Sequence, residues 1–426
     1  MAKIKPERDI DTILARLFPI CRSITGEGVR ETLNILREYI PLEVHEIESG
    51  TKVFDWVVPN EWNIRDAYIK NPSGKKIVDF KKNNLHVMGY STPIKTTMKL
   101  AELKKHLHSL PDQPDIIPYK TSYYKESWEF CVSNRQLESL KDGVYEVVID
   151  SSLSEGSLTY GELCIPGKSK DEVLISCYIC HPSMANDSIS CVALTTVLAK
   201  TLLAQKDSYY SYRFLFIPET IGAITWLAKN RAQTKHIKHG LVATCVGDSG
   251  PFTYKRTRAG NTTVDKAAEK ALADSKQPYS IVDFFPWGSD ERQFNSPGFN
   301  LPVGSLTRTL YGKFAVYHTS GDDLDFVRPQ YIAETLERYL DIIFILEHNE
   351  VYLSKNPHCE PQLGERGLYG TRTEDHDRAS LWLMSYADGK NSLLDIAIRS
   401  GINFRIMHEM ATILEQHELL QRARES

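Results

Sequence analysis

The stretch from Val173 to Cys191, VLISCYICHPSMANDSISC, limits what this chain can fold into more than any other. An uncharged run of Val, Leu, Ile and Tyr, only a few residues long, reads as a strand covered on both faces, the usual situation in a parallel sheet. A polar turn with His181 and Asp187 follows, and then CVALTTVLAKTLLA, an apolar segment with helical character that would fix the loop between the two elements. In open α/β sheets the chemistry gathers beyond the carboxyl ends of such strands. Imidazole nitrogen and carboxylate oxygen are common zinc ligands. A His and an Asp six residues apart are still ordinary loop residues when taken alone, so a site has to be argued from partners elsewhere.

Three partners follow other apolar runs. YRFLFIP (212–218) leads to Glu219, and HGLVATCVG (239–247) leads to Asp248. YHTSGDDLDF (317–326) sets His318 in a turn-prone setting ahead of a long helical pattern. Each carboxylate alone is equally well read as a helix cap or a solvated loop residue. Four runs that all end in ligand-type residues point to one shared site. The alternation of apolar runs and helices from about 140 to 348 predicts an α/β core around a mixed, largely parallel sheet.

Cys177-Tyr178-Ile179-Cys180-His181 also spells C-x-x-C-H, the haem-attachment sequence, which contains the C-x-x-C of thioredoxin-like redox sites. Haem attachment follows export, and MAKIKPERDIDTILARLF lacks the apolar core of a signal peptide. Within a strand the two cysteines would face opposite ways. Two buried thiols that behave as small hydrophobes are the better reading.

With 426 residues, 42% of them hydrophobic and 25% charged, the chain has material for two or three domains. A net charge of −4 gives no general reason to expect nucleic acid. Eight scattered cysteines suit a reducing compartment, and no run approaches a membrane span, so a cytoplasmic location is expected. Residues 1–47 carry two helix-like segments and the short strand LEVHEI. Short β-like runs and the aromatics Phe54, Trp56, Trp62 and Tyr68 mark 50–115 as an inserted β-rich domain, in which the aromatics are expected to form the core. This leaves 1–49 and 116–350 as a discontinuous catalytic domain. In 358–426, LLDIAIRSG and INFRIMHEMATILEQHELL suggest a helix-turn-helix with Gly401 at the turn. That segment has eight Arg and Lys against eleven Asp and Glu, a poor balance for neutralising phosphates, so packing on protein is preferred to DNA.

Several blocks together, CRSITGEGVRETL, FDWVVPNEWNIRDAYI, LHVMGYSTP, IPYKTSYY, CHPSMAND, IPETIG, GSDERQF and YHTSGDDLDF, resemble the superfamily of zinc aminopeptidases, glutamate carboxypeptidase and glutaminyl cyclase. The nearest resemblance is to a bacterial and archaeal aminopeptidase-like branch with an inserted small domain and a C-terminal winged helix, associated with surface-polysaccharide biosynthesis. The resemblance implies a mixed, largely parallel sheet flanked by helices. It also implies metal-ligand roles for His181, Asp187, Asp248 and His318, with Asp187 the carboxylate that bridges two ions in two-metal members. Glu219 matches the general base, and the second of two adjacent glutamates is here Thr220. A hydroxyl is a poor substitute for that carboxylate. One Zn²⁺ on His181, Asp187 and His318 is therefore favoured over two, with Asp248 as an alternative ligand or an outer orienting group. Ser188 and Cys191 depart from the usual Asn and Gly. Arg292 of GSDERQF is a candidate to grip a substrate carboxylate, with an ion pair to Asp290 or Glu291 as the structural alternative.

The expected function is metal-assisted hydrolysis of a peptide or amide bond, with Glu219 as base. The alternative is a catalytically weak or inactive metal-containing binding protein on the same fold, and a DNA-binding regulator is disfavoured by the acidic tail. The expected partner is a small peptide or amide substrate, not nucleic acid or membrane, and homo-oligomerisation stays open.

Overall fold

The computed structural model of this protein describes residues 6–368, 370 and 372–423; the last residues of the expected 358–426 domain lie outside the described residues. The chain divides into two compact units, residues 1–260 with 282–336 and residues 261–281 with 337–426.

The first unit is built on a mixed sheet. Its strands lie in the order Glu43–Glu48, Ser157–Ile165, Ser211–Ile217, Glu172–Tyr178, Ile237–Ala243, Val303–Thr307 and Phe252–Lys255. Ser211–Ile217, Glu172–Tyr178, Ile237–Ala243 and Val303–Thr307 pair in parallel, while the outer strands pair antiparallel. Glu172–Tyr178 is buried at every position but its first, as expected of a strand covered on both sides. The following helix, Cys191–Leu203, is buried almost throughout. Its Val192, Leu194, Val197, Leu198 and Leu202 each contribute roughly 1.5–3 kcal/mol by leaving water. That packing anchors the loop between strand and helix, where His181 and Asp187 lie.

A second sheet in this unit is antiparallel, in the order Lys76–Asp79, Glu61–Lys70, Val144–Ser154 and Ile94–Lys99. Ala67, Ile69, Val78, Tyr145, Val147 and Ile149 fill its core. The segment expected to form the insertion stopped at 115, yet Val144–Ser154 supplies the strand paired with two others in this sheet. An alternating buried pattern looks the same in either sheet, so the local sequence does not say which one takes the strand. The aromatics divide as well. Trp62 is buried, whereas Phe54 and Trp56 are exposed. Arg30 ties the start of this sheet to the helix Glu27–Leu36 through ion pairs with Glu27, Glu46 and Glu61.

The second unit contains the helices Thr263–Ser275, Glu374–Tyr386, Leu393–Ser400 and Phe404–Gln416 and a three-stranded sheet of Val351–Ser354, Asp388–Ser392 and Leu420–Arg422. Gly401 makes the corner between two helices with φ 71°, and Ser392 opens the first of them with a reciprocal capping box to Asp395. This is the helix-turn-helix with a short sheet that the sequence leads one to expect. Among the described residues no helix is long and apolar enough to cross a membrane.

Candidate metal and catalytic centre

The parallel strands end on one side of the sheet, and the residues just beyond their ends form the site. Tyr178 closes its strand, and His181 stands three residues on, 4% exposed. Its carbonyl accepts a hydrogen bond from Arg22 Nε at 2.9 Å, while Arg22 Nη1 donates to Leu17 O at 2.6 Å. Among the described residues Arg22 has no carboxylate within ion-pair range, so a buried guanidinium is held by carbonyls, one of them that of His181. Burial pushes the His181 imidazole down to about 4, which keeps it neutral at pH 7, the form that binds metals.

Asp187 lies in the turn Ala185–Ser190, 1% exposed. Its Oδ1 accepts from the Tyr178 hydroxyl, and its Oδ2 lies 3.0 Å from His318 Nε2. Burial opposes ionisation there, but the imidazoles of His181 and His318 and the Tyr178 phenol outweigh it and hold the carboxyl at about 2. The turn is clamped by Asp322, whose carboxylate accepts the backbone N–H groups of Asn186 and Asp187 at 2.6 and 2.9 Å and whose carbonyl accepts that of Ala185. His318, with φ 55°, is held by its own carbonyl accepting from Tyr119 N at 2.8 Å and by the stacked ring of Tyr317.

One donor atom each from His181, Asp187 and His318 lies within 4.8 Å of the other two. His318 Nε2 is close to Asp187 without hydrogen-bond alignment and has no other partner. Two imidazoles and a carboxylate fit a three-ligand zinc centre that leaves one position open. A second group, Cys180, His181 and Glu219, meets the same distance limit. Cys180 is more than a buried hydrophobe, since its sulfur lies 3.4 Å from His181 Nδ1 and accepts the Glu219 N–H at 3.3 Å.

Glu219 Oε2 is 3.9 Å from His181 Nε2. Loss of water contact, joined by the carboxylates of Asp290 and Asp187, pushes its pKa well above the usual range. Thr220 follows with φ 63° and heads the helix Ile221–Lys229. Its N–H donates to Asp290 Oδ1 at 2.7 Å, and its hydroxyl accepts from Arg292 Nη2 at 2.9 Å. The segment 288–294 therefore does reach the centre. Burial raises Asp290 to about 7. Glu291 pairs with the buried Lys255 at 2.6 Å, and Arg292 Nε has no partner.

The structure does not bring Asp248 into this group. Its strand ends at Ala243, and the residue immediately beyond is Thr244. Asp248 instead accepts from Asn186 Nδ2, Gly250 N and Thr309 Oγ1 at 2.9, 2.7 and 2.6 Å, bracing the loops around the centre. Tyr178, Thr244, Tyr119, Asp322 and Arg22 were not singled out from sequence. The one local signal was Tyr178, a polar-tipped aromatic closing an otherwise apolar strand. Ser183 and Ser320, each two residues past an imidazole donor, line a groove of about 580 Å³ with Ser23, Glu27, Trp62 and Lys81.

A parallel-centred sheet with two imidazoles and a carboxylate beyond its strand ends defines an aminopeptidase-like protein with a candidate metal site. The fold is that of the zinc aminopeptidase superfamily. The zinc aminopeptidase BSAP of Bacillus subtilis superposes with a TM-score of 0.59 over 80% of this chain and 94% of its own, at 10% identity. Residues 11–349 match the model of a family described as a domain of unknown function, DUF4910, and residues 350–422 match a winged helix-turn-helix. The chain belongs to the DUF4910 family. A Clostridium acetobutylicum protein named for polysaccharide biosynthesis, with an aminopeptidase-like domain, is 55% identical over 97% of this chain and 96% of its own. A crystal structure of a candidate peptidase from the same organism is 54% identical, with a TM-score of 0.94 over 98% of this chain and 96% of that one.

Proposed function

We propose that this chain is a zinc-dependent hydrolase of a peptide or amide bond, with one ion on His181, Asp187 and His318 and with Glu219 as general base. The observation that carries this reading is the convergence of those three donors within 4.8 Å, with the Glu219 carboxylate 3.9 Å from His181. Bound zinc supplies Lewis acidity toward a carbonyl and lowers the pKa of water to about 7. Glu219 accepts a proton from the attacking water and returns it to the departing amine. Arg292, whose Nη2 donates to Thr220 Oγ1 next to Glu219, is the candidate to bind a substrate carboxylate. The polysaccharide-biosynthesis name of the C. acetobutylicum relative supports an amide within a surface-glycan precursor as substrate class.

The test offers aminoacyl amides, dipeptides and N-acylated sugars to zinc-loaded wild type and to Glu219→Gln. The variant should fold and keep its zinc while turnover falls about 10²–10⁴-fold. Turnover of a substrate at the parental rate by the Gln variant would falsify the mechanism. The neutral residues Thr220 and Thr244 beside the centre favour a second reading, a binding protein that retains the ion. Full zinc occupancy with no turnover across the panel would select it. For the acidic C-terminal segment we infer a protein-packing role. Duplex DNA titrated at physiological salt should show no saturable binding, and sequence-selective binding would reverse this assignment.

A further inference from the structure

We infer that Tyr178 is a positioning residue for Asp187, its hydroxyl bonding Oδ1 so that Oδ2 is the oxygen turned to the three-donor group. The inference rests on the metal-site reading above and adds to it the residue that orients the carboxylate ligand. Asp187, Tyr178 and Thr244 are all buried, at 1%, 3% and 0% exposure. The Tyr178 hydroxyl touches Asp187 Oδ1 on one side and Thr244 Oγ1, at 2.6 Å, on the other. An ionised carboxylate can only accept, so the phenolic hydrogen points at Oδ1 and the Thr244 hydrogen faces the phenol oxygen.

The backbone of Asp187 is held in place by its N–H, which donates to Asp322 Oδ2 at 2.9 Å. Its Oδ2 is directed at His318 Nε2, toward the three-donor group. A zinc ion on Oδ1 would need to lie about 2.0–2.2 Å from it. The Tyr178 hydroxyl already takes one of the two lone-pair directions of that oxygen. Beyond it the next donor is a neutral hydroxyl, and Asp248 is spent on Asn186, Gly250 and Thr309. The hydrogen-bonded line from Asp187 through Tyr178 to Thr244 therefore turns Oδ2 to the metal.

The experiment titrates full-length, metal-stripped protein with zinc against a chromophoric chelator, and counts bound zinc by elemental analysis after desalting. Wild type should hold one tight zinc. Tyr178→Phe, which keeps the ring and so the packing, should hold one zinc with its dissociation constant raised about 10–100-fold, the usual effect of losing an outer partner of a ligand. Thr244→Val, which removes only the far end of the line, should give a smaller rise in the same direction. The metal-free protein should stay folded in both variants, with a melting temperature lowered by much less than the loss of zinc affinity would require. Wild-type affinity in Tyr178→Phe would overturn the inference while leaving the ligand set intact. So would a loss of affinity matched by a fall in metal-free melting temperature, which would assign Tyr178 to packing alone. A His181→Ala variant that binds zinc as wild type does, or two equally tight ions in wild type, would instead overturn the metal-site reading itself.

Discussion

Arg292 shows how far a single residue can be read ahead of a structure. Its sequence context, three consecutive charges after Gly-Ser, is that of a solvated loop, yet its Nη2 donates to Thr220 Oγ1 at 2.9 Å beside the candidate base and its Nε is buried without a partner. Arg292→Ala should raise KM for a carboxylate-bearing substrate while kcat changes little. A charge-assisted hydrogen bond worth about 1.5–3 kcal/mol corresponds to roughly 10–150-fold. Steady-state kinetics on a substrate and its amidated analogue check this, and an equal effect on both would count against carboxylate recognition. His181, Asp187, Glu219 and His318 were legible because each follows an apolar run closely. Asp248 stands outside the donor group because the run HGLVATCVG continues past the strand end at Ala243, and of the two roles the sequence left open its bond to Asn186, next to Asp187, suits the outer one. Asp322 and Arg22 left no local signature, because what each does is decided by partners more than a hundred residues away.

At the scale of elements, the helix-turn-helix corner was the most legible part of the chain, because glycine at a left-handed corner is dictated by backbone sterics. Gly401 has φ 71°, and a Cβ there would meet nothing within 4 Å, so Gly401→Ala isolates the backbone term. It should destabilise the protein by about 1–2 kcal/mol, read from urea unfolding monitored by circular dichroism. No change would mean that the corner relaxes into another conformation. The inserted sheet was less legible. The strand Val144–Ser154 joins the small sheet, and the short link Glu155–Gly156 then carries the chain into the main-sheet strand Ser157–Ile165. Two strands of opposite allegiance stand almost back to back in sequence, so neither composition nor spacing marks the border.

Over the whole molecule, acid is the condition that the buried histidines make most revealing. His239 is 7% exposed, and burial pushes it down to about 4, while its unfolded counterpart titrates near 6.5. The unfolded chain thus takes up a proton that the folded one refuses. The stability due to this residue is complete above pH 6.5 and is lost as pH falls toward 4, at roughly 1.4 kcal/mol per pKa unit. Burial lowers His408 of the second unit in the same direction. The urea midpoint of wild type relative to His239→Gln should fall as pH drops from 6.5 toward 4, and a difference independent of pH would contradict this origin. The clamp from Asp322 to Ala185, Asn186 and Asp187 has a temporal consequence as well. A growing chain presents His181 and Asp187 well over a hundred residues before His318 and Asp322 exist. Until then the turn lacks both its third donor and the carboxylate that holds its backbone. Order in the ribosomal product thus arrives from the C-terminal side of the first unit, and the three candidate donors can converge only once most of the polypeptide has been made.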